Sequence, residues 1–338
     1  MSFISVGFFI VILTTAIIYY ILPKKIRWTI LLIMSLAFYA ISSVKGLLYV
    51  GFTIITSYLA TRLMQKSTDK KTRKKYLIWC LVCNFGILVF LKYCNFAITN
   101  FSLFMSLFHV NIPDNHISIV MPLGISFYTF QTMSYVIDVY EKKYEPEKNI
   151  FKFALFVSFL PQMLQGPIGR FDRLSPQLIN GNDFDIKNVE YGLQRIAWGL
   201  AKKLILADRA SVIQTAIFNS LDVYSGVHII VALLTFSIYE YCDFSGGIDV
   251  VIGAAEIFGI KLDENFRQPY FSKSIGEFWR RWHITLGTWM KDYVFYPFSI
   301  SKHMLKFGKK ARKVFGKKIG KVLPICVANI LIFFIVGV

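Results

Sequence analysis

The chain of 338 residues is 55% hydrophobic and only 17% charged, and its mean hydropathy is +0.52. A soluble globular domain of this length would carry more charge, so the composition predicts a polytopic membrane protein. The net charge of +18 would indicate nucleic-acid binding in a soluble protein. Here the basic residues lie between apolar runs, which favours a topological role and predicts no nucleic-acid partner.

Apolar runs long enough to cross a bilayer recur along the chain. They cover residues 3–22, 28–41, 47–63, 76–91 and 117–140. The first run has no basic residue before it and no small-residue cleavage site after it, so we expect a membrane helix rather than a signal peptide. Prolines interrupt residues 150–163 and basic residues interrupt 191–207, which predicts re-entrant or interfacial helices there.

Short segments rich in lysine and arginine resist translocation, so we expect those between the runs to share the cytoplasmic face. They are residues 24–27, 62–75, 141–148 and 302–321. The last of these, KHMLKFGKKARKVFGKKIGK, contains no acidic residue. We expect its role to be topological, and a specific site for an anionic ligand is the alternative.

The five cysteines do not indicate a metal or redox site. Cys80 and Cys83 form a CxxC pair within an apolar run, but no second pair or histidine cluster accompanies them. We therefore expect them to face lipid or to pack against other helices, and no bound metal is predicted. We interpret residues 1–338 as a single membrane domain, with N-terminal helices over about 1–115 and a motif-bearing core over about 117–338.

Three acidic residues lie inside an apolar run, where an ionisable group is costly. Glu240, Asp243 and Asp249 occur within LLTFSIYEYCDFSGGIDVVIGAAEIFGI. On a helix Glu240 and Asp243 share one face, and Gly246-Gly247 allows a break or a close backbone approach, which suits a polar cavity better than lipid. The alternative is an acidic cluster that pairs with basic residues of another helix for packing alone.

The segment FWRRWHITLGTWMKDYVFYPF, residues 278–298, concentrates aromatic and charged residues. As one helix it would place His283 on an aromatic face, and Arg281 and Asp292 on a charged face. Burial against tryptophans and the charges of Arg280 and Arg281 would bias His283 toward its neutral form, which can act as a general base. The arginines could hold the phosphates of a nucleotide-like donor or the negative charge that develops in acyl transfer. The alternative is an aromatic belt that anchors the chain at the membrane interface.

The segment FWRRWHITLGTWMKDYVFYP resembles the most distinctive motif of the membrane-bound O-acyltransferase family, in particular its alginate O-acetyltransferase-like branch, which modifies bacterial cell-surface polysaccharides. Three further segments resemble that branch in order and approximate spacing. They are MPLGISFYTFQTMSYVIDVY at residues 121–140, FLPQMLQGPIGR at 159–170 and YCDFSGGIDVVIGAAEIFGIKLDENFRQPY at 241–270.

The resemblance implies an all-α polytopic membrane protein, a bundle of about 9–11 transmembrane or re-entrant helices around a tunnel. It implies a cytoplasmic acyl donor, acetyl-CoA or another acyl thioester, and no bound cofactor. The implied acceptor is a hydroxyl of a cell-surface polysaccharide or of peptidoglycan, reached directly or through an extracytoplasmic acyltransferase partner. The expected location is a bacterial inner or plasma membrane.

The resemblance also implies a set of site residues. His283 matches the first motif histidine of the family and is the expected catalytic residue. The matched residues expected to bind substrate are Arg280, Arg281, Trp282, Asp243 and Ser245, to which the residue patterns add Glu240 and Asp292. Gly166 and Pro167 match a GPI turn, although Gln165 stands where many relatives have a small residue.

The chain departs from the family pattern in one respect. Family members carry a second histidine in a later apolar helix, generally within Trp-His-Gly, and that histidine is the stronger candidate for the catalytic base. The other histidines here do not fit this position; they are His109, His116, His228 and His303. We therefore expect the chain to be the front part of a longer protein and to be inactive, or nearly so, by itself. The alternative function is a channel or carrier in which Glu240, Asp243 and His283 line a solute path.

Overall fold

The computed structural model describes residues 4–110, 117 and 121–337. All regular structure within these residues is helical. The chain divides into two compact units, Met1–Asp263 and Glu264–Val338.

Eleven α-helices are described in the first unit. They are α1 (Val6–Ile21), α2 (Arg27–Ser42), α3 (Val44–Lys66), α4 (Lys70–Ser106), α5 (Ile125–Tyr140), α6 (Ile150–Ser158), α7 (Leu160–Gln165), α8 (Phe171–Ile179), α9 (Ile186–Ala201), α10 (Asp208–Phe218) and α11 (Val227–Glu256). A 3-10 turn at Lys24–Ile26 precedes α2, and a π-helical turn at Lys202–Ala207 follows α9. The side chains of Ser43, Asp69 and Asp185 accept hydrogen bonds from backbone N–H groups at the starts of α3, α4 and α9, so the local sequence fixes where these helices begin.

Five described helices are long and apolar enough to cross a membrane. They are Lys24–Ser42, which joins the 3-10 turn to α2, together with α3, α4, α11 and the helix Lys302–Gly337 of the second unit. The shorter helix α1 is also apolar. The prediction of an all-α polytopic membrane protein is therefore confirmed.

Two helices differ in length from the apolar runs that predicted them. Helix α4 extends over 37 residues, because the basic residues before the run 76–91 continue the same helix from its Asp69 cap. Among the described residues of the run 117–140, a helix begins after Gly124, whose φ of 67° lies in the left-handed region, which glycine adopts without strain. Residues 118–120 of this run lie outside the described structure.

The hydrophobic core lies within the first unit, and large aromatic side chains fill much of it. Tyr19, Tyr39 and Tyr135 are fully buried. The hydroxyl of Tyr39 donates to the carbonyl oxygen of Leu123 at 2.5 Å, and that of Tyr135 accepts from the backbone N–H of Glu147 at 2.9 Å. These bonds offset the cost of removing a phenol from water.

Glycine contacts bring α9 and α11 together in an antiparallel arrangement. A Cβ atom on Gly199 would lie 2.5 Å from the carbonyl oxygen of Gly246, and one on Gly192 would lie 2.6 Å from that of Gly253. The pairs are seven residues apart in each helix, so both contacts fall on one face and leave no room for a side chain. Gly246 thus allows a close backbone approach, whereas the predicted alternative of a break is wrong, because α11 continues to Glu256.

Four α-helices are described in the second unit. They are α12 (Ile275–Arg281), α13 (Ile284–Met290), α14 (Tyr296–Ser299) and α15 (Lys302–Gly337). A 3-10 turn at Pro269–Phe271 precedes α12, and a π-helical turn at Lys291–Phe295 follows α13. Helix α15 consists of two helical arms, because Gly316 in its middle has φ 77° and ψ 171°, a conformation that only glycine adopts readily.

Candidate active site

The motif around His283 is built from two short helices that meet at a break. Helix α12 ends at Arg281 and α13 begins at Ile284. Trp282 between them is extended, and His283 has φ 44° and ψ 54°, in the left-handed region. This conformation costs a residue with a Cβ atom about 1–2 kcal/mol, so the surrounding structure has to stabilise it.

A segment that precedes α12 contacts both sides of the break. The backbone N–H of Arg267 donates to the carbonyl oxygen of Arg281 at 3.0 Å, and the backbone N–H of Ile284 donates to that of Asn265 at 3.0 Å. The side chain of Asn265, which is fully buried, accepts through Oδ1 from the backbone N–H and the hydroxyl of Thr285, at 3.0 and 2.7 Å. We call Asn265 and Arg267 the bracket, because their bonds fix the chain immediately before and after the histidine.

The break corrects the prediction of one continuous helix over residues 278–298. The predicted aromatic and charged faces assumed helical spacing through His283, and that spacing does not apply across the break. The helix breaks because the carbonyl oxygen of Arg281 and the backbone N–H of Ile284 are hydrogen-bonded to the bracket instead of to the helix. The bracket lies about 20 residues before Thr285 in the sequence. Histidine tolerates the left-handed region better than most residues, but this local signal is too weak to predict a break.

Burial sets the protonation state of His283. The side chain is half-buried, and its removal from water lowers its pKa from 6.5 to about 4. A histidine with a lowered pKa is protonated only below that value, so this ring is neutral at physiological pH. The neutral form was predicted from the sequence. Its cause is burial rather than the charge of the neighbouring arginines.

Aromatic packing connects α12 to the segment that contains the bracket. The ring of Trp282 stacks on Phe278, with centroids 5.6 Å apart, and meets the ring of Phe266 edge-on at 5.1 Å. Trp282 therefore has a packing role beside the histidine. Asp292 is exposed in the π-helical turn after α13.

An open cleft of about 590 Å³ is lined by Arg267, Gln268, Arg280 and Arg281. Arg281 forms an ion pair with Glu277 at 2.6 Å, whereas neither Arg267 nor Arg280 is ion-paired with any described residue. The cleft therefore carries surplus positive charge. Guanidinium groups bind phosphates and carboxylates through paired N–H donors, so this lining suits an anionic ligand. Arg267 was not among the predicted site residues. Only the hydrogen bond from its backbone N–H to the carbonyl oxygen of Arg281 places it at this cleft.

In the first unit, Asp249 of α11 is paired with two basic residues. Arg195 of α9 donates to its Oδ1 from Nε at 3.0 Å and from Nη2 at 2.9 Å. The buried Lys202 forms an ion pair with the same carboxylate and donates to Oγ of Ser245 at 3.0 Å. These contacts neutralise a charge that would otherwise be costly in an apolar helix.

Asp243, six residues earlier in α11, has a separate partner. Lys203 forms an ion pair with Asp243 and another with Asp208 at 2.9 Å. Glu240 is exposed and pairs with no described residue. The alternative considered from the sequence, acidic residues paired with basic residues of another helix, therefore describes Asp243 and Asp249. The sequence signal for these partners was the group of basic residues within 191–207.

The GPI turn is positioned by two buried glutamines, Gln131 and Gln162, which are hydrogen-bonded to each other. Nε2 of Gln162 donates to the carbonyl oxygen of Pro167 at 2.7 Å, and Oε1 of Gln131 accepts from the backbone N–H of Gly169 at 3.3 Å. A Cβ atom on Gly166 would lie 2.5 Å from the backbone of Gln162, so the turn requires glycine. Two of the motif segments, 121–140 and 159–170, thus meet in one buried network.

The sequence of the chain matches a family model and several known proteins. Residues 147–312 match the profile of MBOAT, the membrane-bound O-acyltransferase family. Over 279 residues the chain is 34% identical to a Pseudomonas aeruginosa protein named "Probable alginate O-acetylase AlgI", a match that covers 82% of this chain and 53% of that protein. It is 32% identical over 293 residues to the Helicobacter pylori "Peptidoglycan O-acetyltransferase", which covers 79% of this chain and 55% of that protein. It is 31% identical over 191 residues to the Bacillus subtilis "Teichoic acid D-alanyltransferase", with 55% and 47% covered.

These matches place the chain in the membrane-bound O-acyltransferase family, as the motif resemblance predicted. Its apolar helices make it a multi-pass bacterial membrane protein. The chain spans about half the length of the curated relatives it matches.

Proposed function

We propose that the native protein is an O-acyltransferase that moves an acetyl group from an acyl thioester, with acetyl-CoA as the simplest donor, toward hydroxyls of a cell-surface polysaccharide or of peptidoglycan. Transfer reaches the polymer directly or through an extracytoplasmic acyltransferase partner. The single observation that carries the proposal is a neutral histidine, held in a costly conformation and two residues after Arg281, which with Arg280 and Arg267 lines a positively charged cleft. We take the proposed acyl group and the proposed class of acceptor from the names of the relatives.

In the proposed reaction, a ring nitrogen of His283 accepts the proton of the acceptor hydroxyl as its oxygen attacks the thioester carbonyl carbon. The new C–O bond forms and the C–S bond breaks, so the thiolate leaves. The imidazolium then returns its proton to the thiolate, and the ring becomes neutral again. A ring with a pKa of about 4 is a weak base but a ready acid toward the thiolate, so an orienting role for His283 is the second possibility within this proposal.

The other site residues have different parts in the proposal. Arg280 and Arg281 bind the phosphates of the donor, because a guanidinium group can donate two parallel, charge-assisted hydrogen bonds to a phosphate. Trp282 packs beside the reacting groups. The polar residues assigned to substrate contacts are Asp243, Ser245, Glu240 and Asp292. For Asp243 and Ser245, the pairing with Lys203 and Lys202 supports a positioning role.

The test is transfer of radiolabelled acetyl groups in membranes that contain the native protein. His283→Ala should lower transfer by about 10²–10⁴-fold if the ring moves a proton. His283→Gln keeps some hydrogen bonding, so it should retain more activity than His283→Ala only in the orienting case. His303→Ala is the matched control, because His303 is exposed in the basic stretch, and it should be near normal.

Normal transfer by His283→Ala would contradict the assignment. If the protein were instead a channel or carrier, acetyl transfer would be absent from the wild type as well, and solute flux would depend on the same residues. An aromatic anchoring belt would give near-normal transfer in both His283 variants, while Trp282→Ala would reduce the amount of inserted protein.

A further inference from the structure

The basic segment 302–321 is folded into a helical hairpin. The two arms of α15 meet at Gly316, and a Cβ atom on Gly308 would lie 3.2 Å from the ring of Pro324. A Cβ atom on Gly320 would lie 2.4 Å from the backbone of Arg312. The first arm, residues 302–315, therefore runs antiparallel to the second, and small residues let the two approach closely.

The second arm leads into an apolar run, residues 322–337, within a helix that is a candidate membrane span. Because Gly308 lies beside Pro324, the middle of the first arm is level with the start of this run. The turn at Gly316 lies at the opposite end of the hairpin. By the same pairing, Lys309 and Lys310 are level with the start of the run, and Lys302 and Lys306 are level with residues 330 and 326 within it. The turn is therefore the end of the hairpin that lies away from the bilayer.

Four lysines on the first arm share one face. They are Lys302, Lys306, Lys309 and Lys310, all exposed. At 100° per residue they fall within an arc of about 100°, on the side away from the buried Met304, Gly308 and Ala311. We call these four the lysine face. No described acidic residue pairs with them, and the whole stretch 302–321 has nine lysine and arginine residues and no acid.

We propose that the lysine face binds the headgroups of anionic phospholipids at the bilayer surface where α15 enters the membrane. Four cations without counter-charges complement lipid phosphates, and their long stems can reach the headgroup layer from the apolar boundary. The neighbouring Phe307 is 38% exposed, as suits an apolar side chain at that boundary. The segment therefore has a specific ligand in addition to its topological role.

The probe is spin-labelled phosphatidylglycerol, with spin-labelled phosphatidylcholine as the neutral reference, added at trace levels to the purified chain in phosphatidylcholine bilayers. Electron paramagnetic resonance then gives the ratio of the two association constants. We expect the wild type to prefer phosphatidylglycerol several-fold. Removing one lysine near a surface changes headgroup affinity by at most roughly fivefold, so Lys306→Gln/Lys309→Gln/Lys310→Gln should lower the ratio toward one. Salt at 0.5 M should weaken the wild-type preference.

The matched control removes the same charge from the other end of the hairpin. Lys313→Gln/Lys317→Gln/Lys318→Gln should keep most of the preference, because these residues surround the turn at Gly316. Equal loss in both triple variants, or no preference in the wild type, would overturn the proposal. Unfolding midpoints in detergent check that the variants fold. If the first triple variant does not fold, Lys306→Gln and Lys310→Gln alone must each lower the ratio, and an unchanged ratio in both overturns the proposal.

Discussion

The α9–α11 pair and the segment around His283 use charge in opposite ways. Between the two helices, Asp249 is shared by Arg195 and Lys202, and Asp243 is paired with Lys203. Lys202 and Lys203 lie in a π-helical turn that continues α9, no residue of this turn has a positive φ, and glycine contacts set the spacing of the helices.

Around His283, three arginines line a cleft. Of the three, Arg281 is paired with a described carboxylate, that of Glu277, and the backbone leaves the regular helical region at His283. Uncompensated charge and a costly backbone conformation persist only where the structure stabilises them, and they are typical of binding and catalytic sites. The comparison indicates that the buried ion pairs of Asp249 with Arg195 and Lys202 stabilise the fold, and that the arginines around His283 are available to a ligand.

The largest effect on stability should come from the helix pair. Lys202→Met leaves a buried carboxylate with one cation fewer and a hydroxyl without its donor, so the free energy of unfolding should fall by about 3–5 kcal/mol. Lys203→Met is the matched control, since Asp243 and Asp208 are more exposed, and it should cost about 1 kcal/mol. Unfolding of the two variants in detergent measures the difference, and equal losses would contradict the account of buried pairing.

A smaller loss should follow when the bracket is weakened. Asn265→Ala removes the acceptor for two hydrogen bonds from Thr285 and should cost about 1–3 kcal/mol. Because the histidine is then less well held, acetyl transfer should fall by roughly tenfold or more. Asn100→Ala is the control, since Asn100 is exposed and donates only to its own helix at 2.7 Å. Unchanged acetyl transfer by Asn265→Ala would show that the bracket does not contribute to the reaction.

The smallest expected effect tests the backbone conformation of His283. Glycine adopts the left-handed region without the cost that a Cβ atom brings, so His283→Gly should be more stable than His283→Ala by about 1–2 kcal/mol. Both variants should lack acetyl transfer, so stability and activity change independently. Thermal unfolding of the pair decides the point, and a less stable glycine variant would show that the conformation is not strained.

Much of the fold could be predicted because a bilayer demands long apolar helices, and composition reports these directly. The paired charges of α9 and α11 were also partly readable, since basic and acidic residues both occur in apolar stretches. The exact partner of each charge could not be predicted, because the register of α9 against α11 depends on tertiary contacts of glycines such as Gly199 and Gly246. The break at His283 could not be predicted, since it depends on hydrogen bonds from Ile284 and Thr285 to Asn265, which is distant in the sequence.

The pH dependence of acetyl transfer tests the central claim most directly, namely that local structure keeps His283 neutral and competent. The measurement is kcat/KM in membranes between pH 4 and 8, because this ratio reports the free protein. With a pKa of about 4, the ring stays neutral as the pH falls from 8 to 5, so the profile should be flat there and decline only near pH 4. A loss of half the activity near pH 6.5, the ordinary histidine value, would contradict the account.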